Sequence, residues 1–107
     1  MKQAKFGKRQ EQKVARALRS RGAKVISSPG SRGAADLKAV FPTGTKWNIQ
    51  VKSSRATPNR PSVRDLGRLK QSAKRDNATP VIAKVSPRKI EYESVSGRKL
   101  SPPKRRK

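Results

Sequence analysis

Two strand-forming runs separated by a tight turn constrain the fold of this chain more than any other feature. The runs cover residues 34–41 and 46–53, and Pro42-Thr-Gly-Thr joins them at hairpin length with a glycine. Strands connected in this way pair antiparallel. Because side chains alternate along a strand, the apolar positions Trp47, Ile49 and Val51 predict a core-facing side. Gln50 and Lys52 then project together from the opposite side, roughly 7 Å apart.

Sequence periodicity predicts two helices and three more strands around this hairpin. The first helix, over 4–21, carries one face that reads Phe6, Gln10, Val14, Ala17 and Leu18, and Gly22 is suited to a left-handed end. The second helix begins at the capping box Ser62-Val-Arg-Asp65 and runs to Asp76, and Asn77 supplies its left-handed stop. Its predicted inward positions are Val63, Leu66, Leu69 and Ala73. Strands are predicted at 23–28, 79–85 and 89–94.

The element order predicts the fold class and the domain limits. Helix, three strands, helix and two strands indicate an α/β fold, with a small mixed central β-sheet flanked by helices. We expect one domain over residues 1–97. From Arg98 onward, six of ten residues are Lys or Arg and two are proline, so residues 98–107 are predicted to be a disordered basic C-terminal tail.

Charge and residue usage narrow the possible functions. The chain has a formal net charge of +23. This excess of positive charge favours binding to nucleic acid, because each phosphate that the protein neutralises releases counterions. Cysteine and histidine are absent, which excludes disulfides, thiol nucleophiles and imidazole chemistry and leaves oxygen-preferring cations such as Mg²⁺ or Mn²⁺. No run of residues is apolar enough for a membrane span or a secretory signal. We therefore expect a cytoplasmic protein, either nucleoid-associated or encoded by a virus.

Two of the six acidic residues lie beside predicted apolar surfaces, so the presence of a carboxylate there has to be explained. Glu11 lies at the border of the first helix's apolar face, where a bond to a neighbouring lysine is the plain alternative to a functional role. Asp36 begins the apolar stretch Leu37-Lys-Ala-Val-Phe, and aspartate is disfavoured in strands unless it is paired, for example with an arginine. If Asp36 lies on the strand beside Gln50 and Lys52, the three side chains converge. The alternative is a solvated polar face.

The combined pattern resembles a nuclease family. A glutamate in the first helix, an aspartate leading a strand and Gln-x-Lys fourteen residues later are similar to the signature of the PD-(D/E)XK nucleases. Six stretches resemble archaeal-type Holliday junction resolvases within that superfamily, in one unbroken order over residues 6–93. They are Phe6-Gly-Lys-Arg-Gln-Glu11, Pro29-Gly-Ser-Arg, Asp36-Leu-Lys-Ala, Ile49-Gln-Val-Lys-Ser-Ser, Arg64-Asp-Leu-Gly-Arg-Leu and Ala78-Thr-Pro-Val-Ile-Ala-Lys-Val.

The resemblance implies a restriction-endonuclease-like core and a role for each site residue. Asp36 would be the central metal ligand, Gln50 and the backbone carbonyl of Val51 would complete the first shell, and Glu11 would act through water. Lys52 would orient or help deprotonate the attacking water, and Ser31 would contact phosphate or that water. The family also implies Mg²⁺, with Mn²⁺ as a substitute, and a homodimer that nicks opposing strands of a four-way DNA junction symmetrically.

Two positions depart from the superfamily signature. Alanine precedes Asp36 where the signature has proline, and Gln50 replaces the usual acidic residue. The neutral amide removes one anionic ligand, which predicts a weaker hold on the cation or a shift toward Mn²⁺.

Three functions are consistent with these observations. The first is a junction-resolving endonuclease, the second a less selective nuclease of the same superfamily, and the third a non-catalytic junction- or duplex-binding architectural protein. The sequence has one tryptophan and one tyrosine and no base-reading motif, so recognition is expected through phosphates and branched shape. The predicted DNA-binding residues are Lys8, Arg9, Arg32, Arg55, Arg60 and Arg64.

Overall fold

In the part of the chain that the structure describes, a six-stranded mixed sheet carries one helix against each face. The computed structural model describes residues 2–27, 35–53, 63–86 and 88–102, apart from the side chains of 2–8, 53 and 65. Its elements are α1 (Lys2–Arg19), β1 (Lys24–Ser27), β2 (Leu37–Val40), β3 (Lys46–Ser53), α2 (Val63–Asp76), β4 (Thr79–Val85), β5 (Ile90–Ser94) and β6 (Lys99–Leu100). Neither of these helices has the length and apolar character needed to span a bilayer.

The strands follow chain order across the sheet, from β1 to β6. The β2–β3 pair is antiparallel, as the turn chemistry predicts, with Leu37 opposite Ile49 and Val40 opposite Lys46. β3 and β4 pair in parallel, because α2 carries the chain back between them. The other described pairs are antiparallel. The predicted α/β class with a mixed sheet is confirmed.

The larger core lies between α1 and one face of the sheet. Val14 and Leu18 of α1 are fully buried against Ile49 and Val81. Trp47 packs edge-on against Phe41 with ring centroids 5.0 Å apart and also contacts Tyr92. Each fully buried aliphatic side chain stabilises the fold by about 1.5–3 kcal/mol. The prediction that Trp47, Ile49 and Val51 face the core is confirmed, with Val51 partly buried.

The opposite face of the sheet is covered by α2. Leu69 packs with Ala35 and Ile82, and Leu66 and Val95 border this smaller cluster. Val63, predicted to face inward, is 86% exposed. At about 100° per residue, Val63 lies about 120° around the helix from Leu69, so it cannot share the buried stripe.

A polar clamp also holds α2 to the sheet. Asn48 is 2% exposed, and its Nδ2 donates to Ser72 Oγ and to Asp76 Oδ2, both at 2.9 Å. Lys38 Nζ lies 2.8 Å from the same Asp76 oxygen. The bond from Lys38 is the main reason that the pKa of Asp76 lies below its ordinary value. The clamp ties the end of α2 to β2 and β3.

The residues that end the two helices have the backbone conformations that the sequence predicts, whereas the C-terminal segment differs from its prediction. Gly22 and Asn77 both have left-handed φ angles, 89° and 56°, as expected after α1 and α2. Lys99 and Leu100, predicted to be part of the basic tail, form a short strand. Gly97, at φ 94°, reverses the chain so that Lys99 and Leu100 pair with β5, and Leu100 packs against the core. The capping residue Ser62 and the side chain of Asp65 lie outside the described residues.

Candidate metal and phosphate site

Asp36 lies at the head of β2 and bonds directly to β3. Its backbone N–H donates to the carbonyl of Ile49 at 2.8 Å, and its Oδ2 accepts the N–H of Val51 at 2.9 Å. This contact sets the carboxylate of Asp36 against the peptide that joins Gln50 to Val51. β2 starts at Leu37, whereas a strand from residue 34 was predicted, and residue 34 itself lies outside the described residues.

Gln50 is buried, contrary to the alternative of a solvated polar face. It is 6% exposed on the face that α2 covers, one residue along from the Leu37–Ile49 pair. Its Oε1 is shielded from solvent and accepts no hydrogen bond from the part of the chain that the structure describes. A buried acceptor in this state destabilises a protein by about 1–3 kcal/mol unless something binds it. The arrangement calls for a donor or a cation at Oε1.

The donor set around Gln50 fits a hard divalent cation. Asp36 contributes a carboxylate that accepts the N–H of Val51, and Gln50 contributes an amide oxygen that no described residue satisfies. Carboxylate, amide and carbonyl oxygens are the ligands that Mg²⁺ and Mn²⁺ prefer. The described residues contain no group of three acidic or other metal-binding side chains, so this set relies on neutral oxygens for part of its coordination.

Lys52 follows on the same face of β3 and is half-buried. Strand geometry separates it from Gln50 by roughly 7 Å along the strand. Its neighbour in the parallel ladder is Lys84 on β4. An ammonium at Lys52 can therefore reach a phosphate or a water bound beside the oxygen ligands.

Glu11 lies on α1, near the same end of the sheet. The turn at residues 20–23 joins α1 to β1, so the helix runs back along β1 and its N-terminal half lies toward the end where Asp36 begins β2. Glu11 is half-buried and has an interaction partner. The role of Glu11 in metal binding stays a prediction.

The predicted DNA-binding residues are only partly described. Arg9 on α1 and Arg64 at the start of α2 are exposed, as phosphate contacts need to be. The side chain of Lys8 lies outside the described residues, and so do Ser31, Arg32, Arg55 and Arg60 in their entirety. Their predicted roles stay predictions.

One pair near the site was missed by the sequence reasoning. Lys84 Nζ lies 3.1 Å from Glu93 Oε1 on the face that carries Gln50 and Lys52. The alternation of β4 and β5 could have indicated the shared face. Their place beside the site follows from the pairing of β3, β4 and β5, in which Lys84 lies opposite Lys52 and Glu93 lies opposite Ile82. The sequence alone does not give this register.

Comparison with known proteins agrees with this architecture. Residues 1–103 match the family described as archaeal Holliday junction resolvase (Hjc). Among solved structures, the chain is similar to Hjc, a Holliday junction resolvase from the archaeal hyperthermophile Archaeoglobus fulgidus. The TM-score is 0.77 and the identity 24%, over 85% of this chain and 74% of that chain, which supports the fold. No curated protein matches the sequence. The match over nearly the whole length shows that the chain belongs to the archaeal Holliday junction resolvase family, whose members are junction-resolving nucleases.

Proposed function

We propose that the protein resolves four-way DNA junctions by metal-assisted hydrolysis at a site formed by Asp36, Gln50, Val51 and Lys52. The observation that carries the proposal is the buried Oε1 of Gln50, which accepts no hydrogen bond from the described residues, next in sequence to Val51, whose N–H donates to the Asp36 carboxylate. A glutamine on a solvated surface would not explain the burial of this oxygen.

Each residue of the site has a part that follows from its chemistry. Asp36 and Gln50 would hold Mg²⁺, or Mn²⁺ in its place, with the Val51 carbonyl and with Glu11 through water. When bound, such a cation polarises the scissile phosphate and activates a water. The ammonium of Lys52 would orient the attacking water and stabilise the charge that develops on the phosphate. The bond from Val51 N–H keeps Asp36 in one rotamer, so little reorganisation is needed when the substrate binds.

The predicted substrate geometry requires two such sites. We propose a homodimer in which each subunit nicks one of two opposing strands, so that the cuts are paired and symmetric. The net charge of +23 supports binding to the phosphates of converging DNA arms, and exposed Arg9 and Arg64 are candidate contacts. Ser31, Arg32, Arg55 and Arg60 are proposed for the same surface from the sequence pattern alone.

A second function is favoured by one observation, the neutral side chain at position 50. With Gln50 in a ligand position and no cluster of three metal-binding side chains among the described residues, cation affinity could be too low for catalysis. The protein would then bind branched DNA without cutting it. This alternative predicts the same junction affinity and no cleavage in either Mg²⁺ or Mn²⁺.

The Asp36→Asn variant tests the proposed site. The asparagine oxygen can still accept the Val51 N–H, so the fold is retained while the charge is lost. Cleavage of a labelled junction is expected to fall about 10³-fold, the size of losing several kcal/mol of transition-state stabilisation. Junction affinity should change by less than about threefold, because many phosphate contacts remain.

Asp76→Asn is the matched control, since Asp76 is another half-buried carboxylate that belongs to the α2 clamp and not to the site. It should cleave at the wild-type rate below its unfolding temperature. Equal cleavage by wild type and Asp36→Asn would refute the assignment of Asp36.

A further inference from the structure

Two lysines stand side by side at the proposed site. Lys52 and Lys84 are partners in the β3–β4 parallel ladder, so their side chains leave the same face of adjacent strands about 4.8 Å apart at the backbone. Both side chains lie on the face that carries Gln50. Two ammonium groups so close would repel each other, and both would repel a dication bound at Asp36 and Gln50.

Glu93 on β5 draws Lys84 away from the site. Lys84 Nζ lies 3.1 Å from Glu93 Oε1, a diagonal contact from β4 to β5 that leads away from β3. Their side chains are only 21% and 14% exposed. An ion pair shielded to this degree is screened less by water than a surface pair. Lys84 is thereby both neutralised and directed to the far side of β4.

We propose that Glu93 is a positioning residue that holds Lys84 away from the Asp36–Gln50 site and thereby maintains the affinity of that site for a divalent cation. The inference rests on the proposed function of that site. It assigns one of only six acidic residues in a chain of net charge +23 to the control of local potential.

The neutral ligand at position 50 makes this control necessary. Asp36 brings one negative charge to the proposed ligand set, and Gln50 brings none. Removing the charge of Glu93 would deprive Lys84 of its 3.1 Å partner at a position two strand spacings, about 9 Å, from Asp36. At an effective dielectric constant of about 60, a unit charge at that distance weakens the binding of a dication roughly threefold to tenfold.

Mn²⁺ binding, followed by the electron paramagnetic resonance of free Mn²⁺, tests the proposal without measuring activity. Glu93→Gln should raise the dissociation constant roughly threefold to tenfold. Lys84→Met should leave it unchanged or lower it, because Glu93 then adds uncompensated negative charge. The double variant E93Q/K84M should return to within about twofold of wild type, since both charges are gone.

Glu91→Gln is the matched control. Glu91 lies on the same strand and face as Glu93 and directly opposite Lys84, but it is 41% exposed and its ion-pair partner is Lys89, at 2.8 Å. Its removal should change Mn²⁺ affinity by less than about twofold, because solvent screens it. If Glu91→Gln weakens binding as much as Glu93→Gln, the effect is one of net charge and the proposal is overturned.

The remaining outcomes separate this inference from the proposed site itself. Wild-type Mn²⁺ affinity in Glu93→Gln, or weaker binding in Lys84→Met, overturns the role of Glu93. Circular dichroism establishes that each variant is folded, and if Glu93→Gln does not fold, Lys84→Met and the double variant still decide the question. Asp36→Asn is measured alongside, because Mn²⁺ binding that survives this change refutes the metal site, whatever Glu93 does.

Discussion

The two buried amides of β3 should respond in opposite directions when each is replaced by an apolar side chain of similar size. Gln50 and Asn48 lie two residues apart on the same face and are 6% and 2% exposed. Asn48 donates two hydrogen bonds to α2, whereas Gln50 Oε1 accepts none from the described residues. We therefore expect Gln50→Met to stabilise the protein and Asn48→Leu to destabilise it.

The expected magnitudes follow from these contacts. An unsatisfied buried oxygen costs about 1–3 kcal/mol, so Gln50→Met should raise the free energy of unfolding by about 1–2 kcal/mol. In a domain of this size, each kcal/mol corresponds to about 4–8 °C in the melting temperature. Asn48→Leu leaves the buried hydroxyl of Ser72 without its donor and should lower the free energy of unfolding by about 1–3 kcal/mol.

Thermal and urea unfolding followed by circular dichroism measures both changes. The same samples, unfolded with and without Mn²⁺, report on metal binding, because a ligand at 100 times its dissociation constant stabilises the folded state by about 2.7 kcal/mol. Wild type and Asn48→Leu should both gain stability from Mn²⁺, and Gln50→Met should gain none. A Gln50→Met protein that is less stable than wild type, or that still responds to Mn²⁺, would refute the interpretation of Gln50 as an amide kept for a ligand.

The remaining predictions concern Lys52, Asp76 and Tyr92. Lys52→Met should cut a junction at least about 10²-fold more slowly while binding it within about threefold of wild type, as quantitative gel shifts can show. The hydrogen bond from Lys38 lowers the pKa of Asp76 below its ordinary value, so the stability that Asp76 contributes is present above the ordinary pKa and is lost as pH falls through the lowered one. Acid unfolding should therefore be less steep in Asp76→Asn. Burial raises the pKa of Tyr92, the single tyrosine, above its ordinary value, so its phenolate absorbance should appear at higher pH than that of free tyrosine, and stability should decline as pH rises through the ordinary value.

The sequence predicts the hairpin and the helix ends well because local chemistry determines them. Pro42-Thr-Gly-Thr leaves room for little besides a tight connection, and alternation places Trp47 and Ile49 in the core whatever lies above them. Gly22 and Asn77 end the helices where a left-handed residue is needed, and the structure has both in that conformation. These features depend on neighbours within a few positions along the chain.

Features that depend on distant partners are the ones the sequence leaves open. The burial of Gln50 depends on α2 lying across β3, and the residue alone is compatible with a solvated face. The clamp from Asn48 to Asp76 spans 28 positions, and no local pattern indicates it. The short strand at Lys99–Leu100 was predicted to be tail, because its composition is basic and its pairing with β5 is a tertiary contact.

The site is predictable as a set of residues more than as a geometry. Spacing and resemblance single out Asp36, Gln50 and Lys52, and the β2–β3 register brings the first two together. The bond from Val51 N–H to Asp36, and the lack of a described donor at Gln50 Oε1, emerge only from the fold. Together these two features make the residue pattern a specific prediction of a cation site.

Cleavage of a labelled four-way junction, compared with linear duplex of the same sequence in Mg²⁺ and in Mn²⁺, tests the central claim most directly. We predict paired nicks at symmetric positions on opposing strands of the junction and no comparable cutting of the duplex, which would establish Gln50 as a working ligand. Tight junction binding without cuts in either metal would contradict the proposal and leave a protein that recognises branched DNA by charge and shape alone.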